Sequence, residues 1–318
     1  MEKSKFNMEE VVIAASFAFF LLISLHKLTN ASLWFDEAVE YWYSKVMFGE
    51  LPYAYSTTNM YQRILVTYQP PLYNFLMYLW LKVSDSAWWF RFFGVIMGLI
   101  GMAGIFKSVK VITKNNIVSA GAVFFSACIF RLAYYWQEAG EYCLMLGSLC
   151  WTIYFWICLI KEASKKNIIC FTISAIIPVY SQYGAAFPVG VMILLAFISV
   201  LLRKDKKSII EITVSYAVAF VFTAIPLYFF FLRKQMINQQ GGSPLRPVFA
   251  LVNSTVIRDL WKDVLSVFQW NMTSFYSKES TVIVLLFILI VSFAVMFKGG
   301  RDVRWLILTN ILTFLFII

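Results

Sequence analysis

Long apolar runs free of charge recur along the chain, separated by short polar stretches. They lie at about 11–25, 92–106, 115–130, 142–160, 168–202, 212–232, 281–297 and 305–318. A helix needs roughly 20 residues to cross a ~30 Å hydrocarbon core, and somewhat fewer where flanking Lys and Arg snorkel. As one helix, 168–202 would be about 50 Å long. It reads better as two spans meeting near Ser181-Gln182-Tyr183-Gly184, between Pro178 and Pro188. The pattern predicts an all-α polytopic membrane protein with about nine transmembrane helices.

The run from Pro70 to Lys82 would cover only about 20 Å as a helix, too little to cross. Its Tyr and Trp content suits an interfacial helix at headgroup level. Positive charge tests this independently. If 70–82 does not cross and the N-terminus is cytoplasmic, the inner loops collect Lys107, Lys110, Lys114, Lys161, Lys165, Lys166, Arg203, Lys204, Lys206, Lys207, Lys298, Arg301 and Arg304. The outer turns near 134–141 and 181–184 then carry no Lys or Arg, as the positive-inside rule requires. Two outer connections are long, 28–90 and 233–280, and both hold Trp, Tyr and charge rather than linker composition. Loops beyond ~12–15 residues are usually functional or disordered. The first run lacks a small-residue cleavage site and reads as a retained span. The last reaches Ile318 without a polar tail, so 1–318 reads as a single transmembrane domain cut short at its C-terminus.

Composition sharpens this picture. Hydrophobic residues make up 61% and charged residues only 14%, against roughly 25% charged in soluble domains. The net charge of +10 sits in the short clusters that set topology, which argues against nucleic acid. Five cysteines lie inside apolar runs without metal-site spacing, and read as small buried hydrophobes. Asn30-Ala31-Ser32, Asn253-Ser254-Thr255 and Asn271-Met272-Thr273 are outer-side glycosylation sequons.

Candidate chemistry gathers at the outer boundaries. Trp34-Phe35-Asp36-Glu37-Ala38-Val39-Glu40-Tyr41 follows the first span. A carboxylate at the apolar edge is costly to desolvate, so it is paired, metal-bound or used. Acidic residues also favour a helix's first turn, and that alternative stays open. Gln137, Glu138 and Glu141 lie in the turn 133–142, where ordinary acidic decoration is the competing reading. Tyr68-Gln69-Pro70-Pro71-Leu72-Tyr73 supplies a rigid turn. Arg91 opens the second span, placed to fork onto a phosphate or to snorkel. Tyr180-Ser181-Gln182-Tyr183 adds a polar turn, and the lone His26 reads as interfacial.

In order and spacing these pieces resemble the polyprenyl-phosphate-sugar-dependent GT-C glycosyltransferases, the superfamily of protein O-mannosyltransferases and lipid A aminoarabinose transferases. The resemblance covers roughly residues 8–190. Asp36-Glu37 resembles the family's Asp-Glu pair after span one. Gln69-Pro70-Pro71-Leu72-Tyr73 with Arg91 is similar to its His-Pro-Pro-Leu-Tyr element and following Arg. Gln137-Glu138-Ala139-Gly140-Glu141-Tyr142 matches its Gln-Glu-Ala-Arg-x-Tyr element, and Tyr180-Ser181-Gln182-Tyr183 its Tyr-Thr-His-Tyr element. Gln69 and Gln182 stand where His is common, and Gly140 where Arg is common. These departures weigh against a His-ligated metal and leave phosphate recognition to Arg91, Arg131, Arg63 or Lys82.

The resemblance implies inverting transfer of a sugar from a polyprenyl-phosphate carrier to a cell-envelope glycan, lipid or protein acceptor. The expected setting is the extracytoplasmic face of the plasma membrane. It implies Asp36 as general base and Glu138 orienting the acceptor, with Glu37 and Glu141 in support. Gln69, Tyr73, Arg91, Gln137, Glu141 and Gln182 are its expected substrate-binding residues. No cofactor is certain; a divalent metal, if used, would fall to Asp36 and Glu138. A lipid or polysaccharide transporter or flippase and a catalytically inactive scaffold of the same fold are the alternatives.

Overall fold

In the computed structural model the described residues are 7–238, except 27, 29–31, 49–58, 66 and 68. Nearly all of them belong to one compact unit, which ends at Gln235. The spans expected at 281–297 and 305–318, the 233–280 loop beyond 238 and the asparagines of the three sequons lie outside the described residues.

All the regular structure described is helical. The elements are α1 (Met8–Leu25), α2 (Phe35–Phe48), α3 (Met60–Ile64), α4 (Leu72–Trp80), α5 (Ala87–Thr113), α6 (Asn116–Cys128), α7 (Phe130–Gln137) and α8 (Glu141–Lys161). They continue with α9 (Lys165–Ser181), a 3₁₀ turn (Tyr183–Ala185), α10 (Ala186–Leu202), α11 (Lys206–Ala219) and α12 (Arg233–Asn238). Two π-helical segments, Phe220–Ala224 and Leu227–Leu232, join α11 to α12.

Among the described residues five helical stretches are long and apolar enough to cross a membrane: Met8–Leu25, Ala87–Thr113, Glu141–Lys161, Tyr183–Leu202 and Lys206–Gln235. The pattern predicted seven spans here. The two that differ are shorter. α6 has 13 residues and stops at Ile129, whose extended backbone breaks it from α7. α9 has 17 residues and opens on Lys165, Lys166 and Asn167. The expected outer turn at 133–142 is also mostly helix, with only Glu138, Ala139 and Gly140 between α7 and α8. The expected break inside 168–202 falls at Gln182, between α9 and the 3₁₀ turn.

Capping residues make the connections at one end of the bundle tight. Asn115, Ser164 and Asp205 accept hydrogen bonds from the first-turn amides of α6, α9 and α11, satisfying donors a helix start leaves open. Lys114 and Lys204 take the left-handed conformation just before two of these starts. Asn116 bonds Glu9 at 2.8 Å, Lys161 reaches the Val111 carbonyl, and Ser208 donates to the Ala163 carbonyl at 2.9 Å. The start of α1 and the Lys-bearing turns therefore share one end. At the opposite end Gln137 donates to the carbonyls of Ile23 (2.8 Å) and His26 (3.0 Å), holding the α7–α8 bend beside the end of α1.

Small residues let α5 sit deep against its neighbours. A Cβ on Gly94 would lie 2.8 Å from the Trp136 carbonyl oxygen, and one on Gly147 of α8 2.6 Å from that of Met97. Such close backbone approach supplies the van der Waals packing that holds helices together in lipid. Buried donors cross between helices: Thr152 to the Ser174 carbonyl (2.8 Å) and Trp156 to that of Met192 (2.9 Å). Trp80 and Trp89 stack at 4.1 Å, each indole donating to the other's carbonyl, at 2.7 and 2.8 Å. That reciprocal pair fastens the end of α4 to the start of α5.

The last stretch widens for a visible reason. Pro226 lacks an N–H and its ring crowds the carbonyl four residues back, and the π segments lie on either side of it. The freed carbonyl is that of Phe222, which accepts from the Tyr180 hydroxyl at 3.1 Å. An apolar cavity of about 470 Å³ opens between α9, α10 and this stretch, lined by Phe171, Ala175, Val189, Ile193, Tyr216 and Phe220 among others.

Candidate functional site

At the end of the bundle away from the Lys-bearing turns, α2, Thr67, Gln69 and the α7–α8 bend line a cavity of about 450 Å³. Its polar lining is Asp36, Glu40, Tyr43, Thr67, Gln69, Glu138, Glu141 and Tyr142. α2 presents Asp36, Val39, Glu40 and Tyr43 to it, the i, i+3, i+4, i+7 set of one helical face. Asp36 is exposed there, whereas Glu40 and Glu141 are buried.

Adjacent in sequence, Asp36 and Glu37 are separated by facing. Glu37 sits at the third position of α2, reaches back to the Trp34 amide (3.3 Å) as half of a capping box, and is 2% exposed. Its carboxylate takes both prongs of Arg91, Nε to Oε1 at 2.8 Å and Nη2 to Oε2 at 2.6 Å. The Ala139 amide donates to the same Oε1 at 3.1 Å. Arg91 also donates to the carbonyls of Leu28 (2.9 Å) and Ser32 (3.1 Å). One buried ion pair thus pins the α1–α2 connection, α2, α5 and the α7–α8 bend together. A buried pair survives desolvation when its geometry is bidentate and its remaining groups are bonded, as here.

Behind Asp36, Glu40 accepts from the Asn74 amide of α4 at 2.8 Å, and Asn74 also approaches the Ser44 hydroxyl at 3.4 Å. Burial pushes the Glu40 carboxyl up to about 7, with the Asn74 bond opposing and the Asp36 charge adding. Burial likewise lifts Glu138 to about 7, helped by the charges of Glu37, Asp36 and Glu40. Glu138 Oε2 and Gln69 Oε1 are buried without a donor among the described residues. Tyr73 is fully buried with its ring edge-on to Phe93, and its hydroxyl is unpartnered in the same sense.

The residues singled out from sequence therefore divide. Asp36, Gln69, Glu138 and Glu141 line the cavity together. Glu37 and Tyr73 stand behind its wall. Arg91 is turned onto Glu37 rather than presented to the cavity, and Gln137 onto the carbonyls of α1. Gln182 caps the 3₁₀ turn through the Gly184 amide. Of the other cations considered for a phosphate, Lys82 lies 4.4 Å from the Tyr78 ring centroid, and the side chain of Arg131 is outside those described. Arg63 has Nε and Nη1 buried without a partner among the described residues. No three His, Cys, Asp or Glu side chains among the described residues come together to hold a metal ion.

Sequence reasoning passed over Glu40 and Asn74 as site residues. Glu40 was within reach of it, standing four residues after Asp36 and so on the same face of α2. Asn74 was not, since only the packing of α4 on α2 brings its amide to Glu40. Gln235 is likewise legible only in three dimensions. Its amide meets the Gln69 carbonyl (3.1 Å) and that of Ile64 (3.3 Å), and accepts from the Tyr183 hydroxyl (2.9 Å).

An all-α, multi-pass arrangement with a carboxylate-lined cavity at one end of its bundle defines a membrane-embedded enzyme class rather than a soluble one. The family model described as dolichyl-phosphate-mannose-protein mannosyltransferase matches residues 68–229, just over half of the chain. The chain belongs to that family, a GT-C glycosyltransferase family using a lipid-phosphate sugar donor. No curated protein matches it.

Proposed function

We propose that the chain transfers a sugar from a polyprenyl-phosphate carrier to an acceptor hydroxyl at the extracytoplasmic face of the plasma membrane, with inversion, and that Asp36 is the general base. The observation that carries this is the division of labour in α2: Glu37 is locked into the Arg91 pair, while its neighbour Asp36 is exposed in the cavity. Asp36 takes the acceptor's proton as its oxygen bonds the anomeric carbon. The bond from that carbon to the phosphate oxygen breaks on the opposite face, and its electron pair leaves with the phosphate. Glu138 orients the acceptor, and Arg91 is a positioning residue acting through Glu37. The donor phosphate falls to Arg63, whose α3 is joined through Gln235 to Gln69 at the cavity wall. The apolar cavity between α9, α10 and the Pro226 stretch suits the isoprenoid tail. Its flanking helices run to Tyr183 and Gln235, which bond each other near that wall.

A positioned base contributes typically 10²–10⁴-fold. Asp36→Asn is expected to lower transfer of radiolabelled sugar from polyprenyl-phosphate donors by that order while leaving membrane insertion intact. Full activity in that variant removes Asp36 from the role.

A further inference from the structure

Gln69 lines the carboxylate-bearing cavity beside Thr67, and the chain that follows it offers little to hold it there. Pro70 and Pro71 come next, and neither has an N–H to close a turn back onto the Gln69 carbonyl. The Thr67 hydroxyl has a single proton to give, and it lies nearer the Ile64 carbonyl (2.9 Å) than that of Gln69 (3.2 Å). The remaining donor is Gln235, 2% exposed, whose Nε2 meets the Gln69 carbonyl at 3.1 Å. The same nitrogen approaches the Ile64 carbonyl at 3.3 Å and Thr67 Oγ1 at 3.4 Å, while Oε1 accepts from the Tyr183 hydroxyl at 2.9 Å. These partners fix which way the amide faces. Turned over, its oxygen would confront two carbonyl oxygens.

The stretch that carries Gln235 is gripped at the same place. Tyr61 of α3 donates to the Phe230 carbonyl at 2.6 Å and sets its ring edge-on to Phe231. The π segment Leu227–Leu232 lies just before α12. A π turn takes in one residue more than an α turn, so this segment decides which side chain beyond it meets Gln69. Other buried bonds between helices, such as Thr152 to the Ser174 carbonyl at 2.8 Å, tie framework to framework. Gln235 ties framework to residues that line the cavity.

We propose that Gln235 is a positioning residue for the transfer reaction. It holds the Gln69 carbonyl, and through that backbone it sets the Gln69 side chain, whose buried Oε1 has no donor among the described residues and is left to accept from a substrate. As a statement about transfer this rests on the glycosyltransferase reading of the cavity. Gln235 touches neither substrate nor reacting atoms and acts through Gln69. A carboxamide is the side chain this place asks for, because donors are needed on one side and an acceptor on the other.

The test uses the full chain in lipid nanodiscs and has two readouts. Gln235→Met keeps the length of the side chain and much of its packing but removes its donors. Thr152→Val removes a buried bond away from the cavity and is the control. A misplacement of about 1 Å can cost about 10²-fold, so Gln235→Met is expected to lower transfer of radiolabelled sugar from a polyprenyl-phosphate donor by about ten-fold or more. Thr152→Val should leave transfer unchanged, although both variants lower the melting temperature. In a Gln69→Ala background Gln235→Met should cost little more, because the group it positions is gone. The second readout needs no transfer. In a cysteine-free background, the rate at which a Gln69→Cys variant reacts with a small thiosulfonate should change several-fold when Gln235→Met is added, and not when Thr152→Val is added. Tyr183→Phe, which frees the far end of the Gln235 amide, should shift both readouts the same way and serves if Gln235→Met fails to fold. An unchanged reaction rate overturns the proposal, as does full additivity of Gln235→Met with Gln69→Ala. A changed rate in a chain that transfers sugar from no donor keeps Gln235 as the holder of Gln69 and sinks the transferase reading instead.

Discussion

The Arg91–Glu37 pair shows how much one residue's placement decides. Removing either partner leaves a buried charge alone, which costs roughly 3–5 kcal/mol. Arg91→Ala and Glu37→Ala are each expected to lower the melting temperature of the detergent-solubilised protein sharply. The double substitution should cost less than the two together; additivity would mean that the pair is not coupled. The raised carboxyls of Glu40 and Glu138 give a pH dependence of definite sign. Each ionises near 4.5 in an unfolded chain and at about 7 in the folded one, so the folded state binds those protons more tightly. Their contribution to stability is full below about 4.5 and is lost as the pH rises towards 7. Melting temperatures measured across that interval should fall, and Glu40→Gln should flatten part of the slope. The sequence singled out Asp36, Glu138 and Glu141 together, and they line one cavity, because carboxylates beside apolar runs are conspicuous. It was silent on which of them face a cavity and which are buried in the frame, since a difference of one position along α2 turns a side chain through about 100°.

At the level of elements, the bend between α7 and α8 holds Glu138 and lends the Ala139 amide to Glu37, and α5 supports it through Gly94. A methyl group there meets two carbonyl oxygens of that bend, Trp136 at 2.8 Å and Glu138 at 3.1 Å. Backbone cannot swing aside as a side chain can. Gly94→Ala is expected to destabilise by about 1–3 kcal/mol and to lower transfer, whereas Gly121→Ala, with nothing within 4 Å, should do neither. Thermal melting and the radiolabel assay on the two variants check this. Hydropathy located α1, α8 and α10 closely and α5 and the α11 stretch to within seven residues at each end, because lipid demands long uninterrupted apolar helices. It ended the third span at 130 and read 133–142 as a turn, missing that Phe130–Gln137 is helical, because Ile129 is as apolar as its neighbours and only its backbone marks the break. The π segments had a sequence cue in Pro226, but Tyr180's bond to the freed Phe222 carbonyl depends on packing across helices.

At the scale of the whole bundle, the Lys-bearing turns among the described residues gather at one end and the acidic cavity at the other, as the charge pattern suggested. Which end faces the cytoplasm is set by the membrane and not by packing. In a cysteine-free background, Val83→Cys, 72% exposed beside the cavity end, should react with an impermeant maleimide added from outside. Lys206→Cys should react only after the membrane is opened; the opposite pattern inverts the topology. The split between Asp36 and Glu37 also bears on descent. Position 37 is bound to position 91 by geometry, so in related chains the two are free to drift only in step. With Asp36 as the proposed base, position 36 answers to chemistry alone. A lineage that abandoned catalysis would be expected to let Asp36 go first and to keep Glu37 and Arg91 long afterwards, as a keystone outlasts the use of the arch.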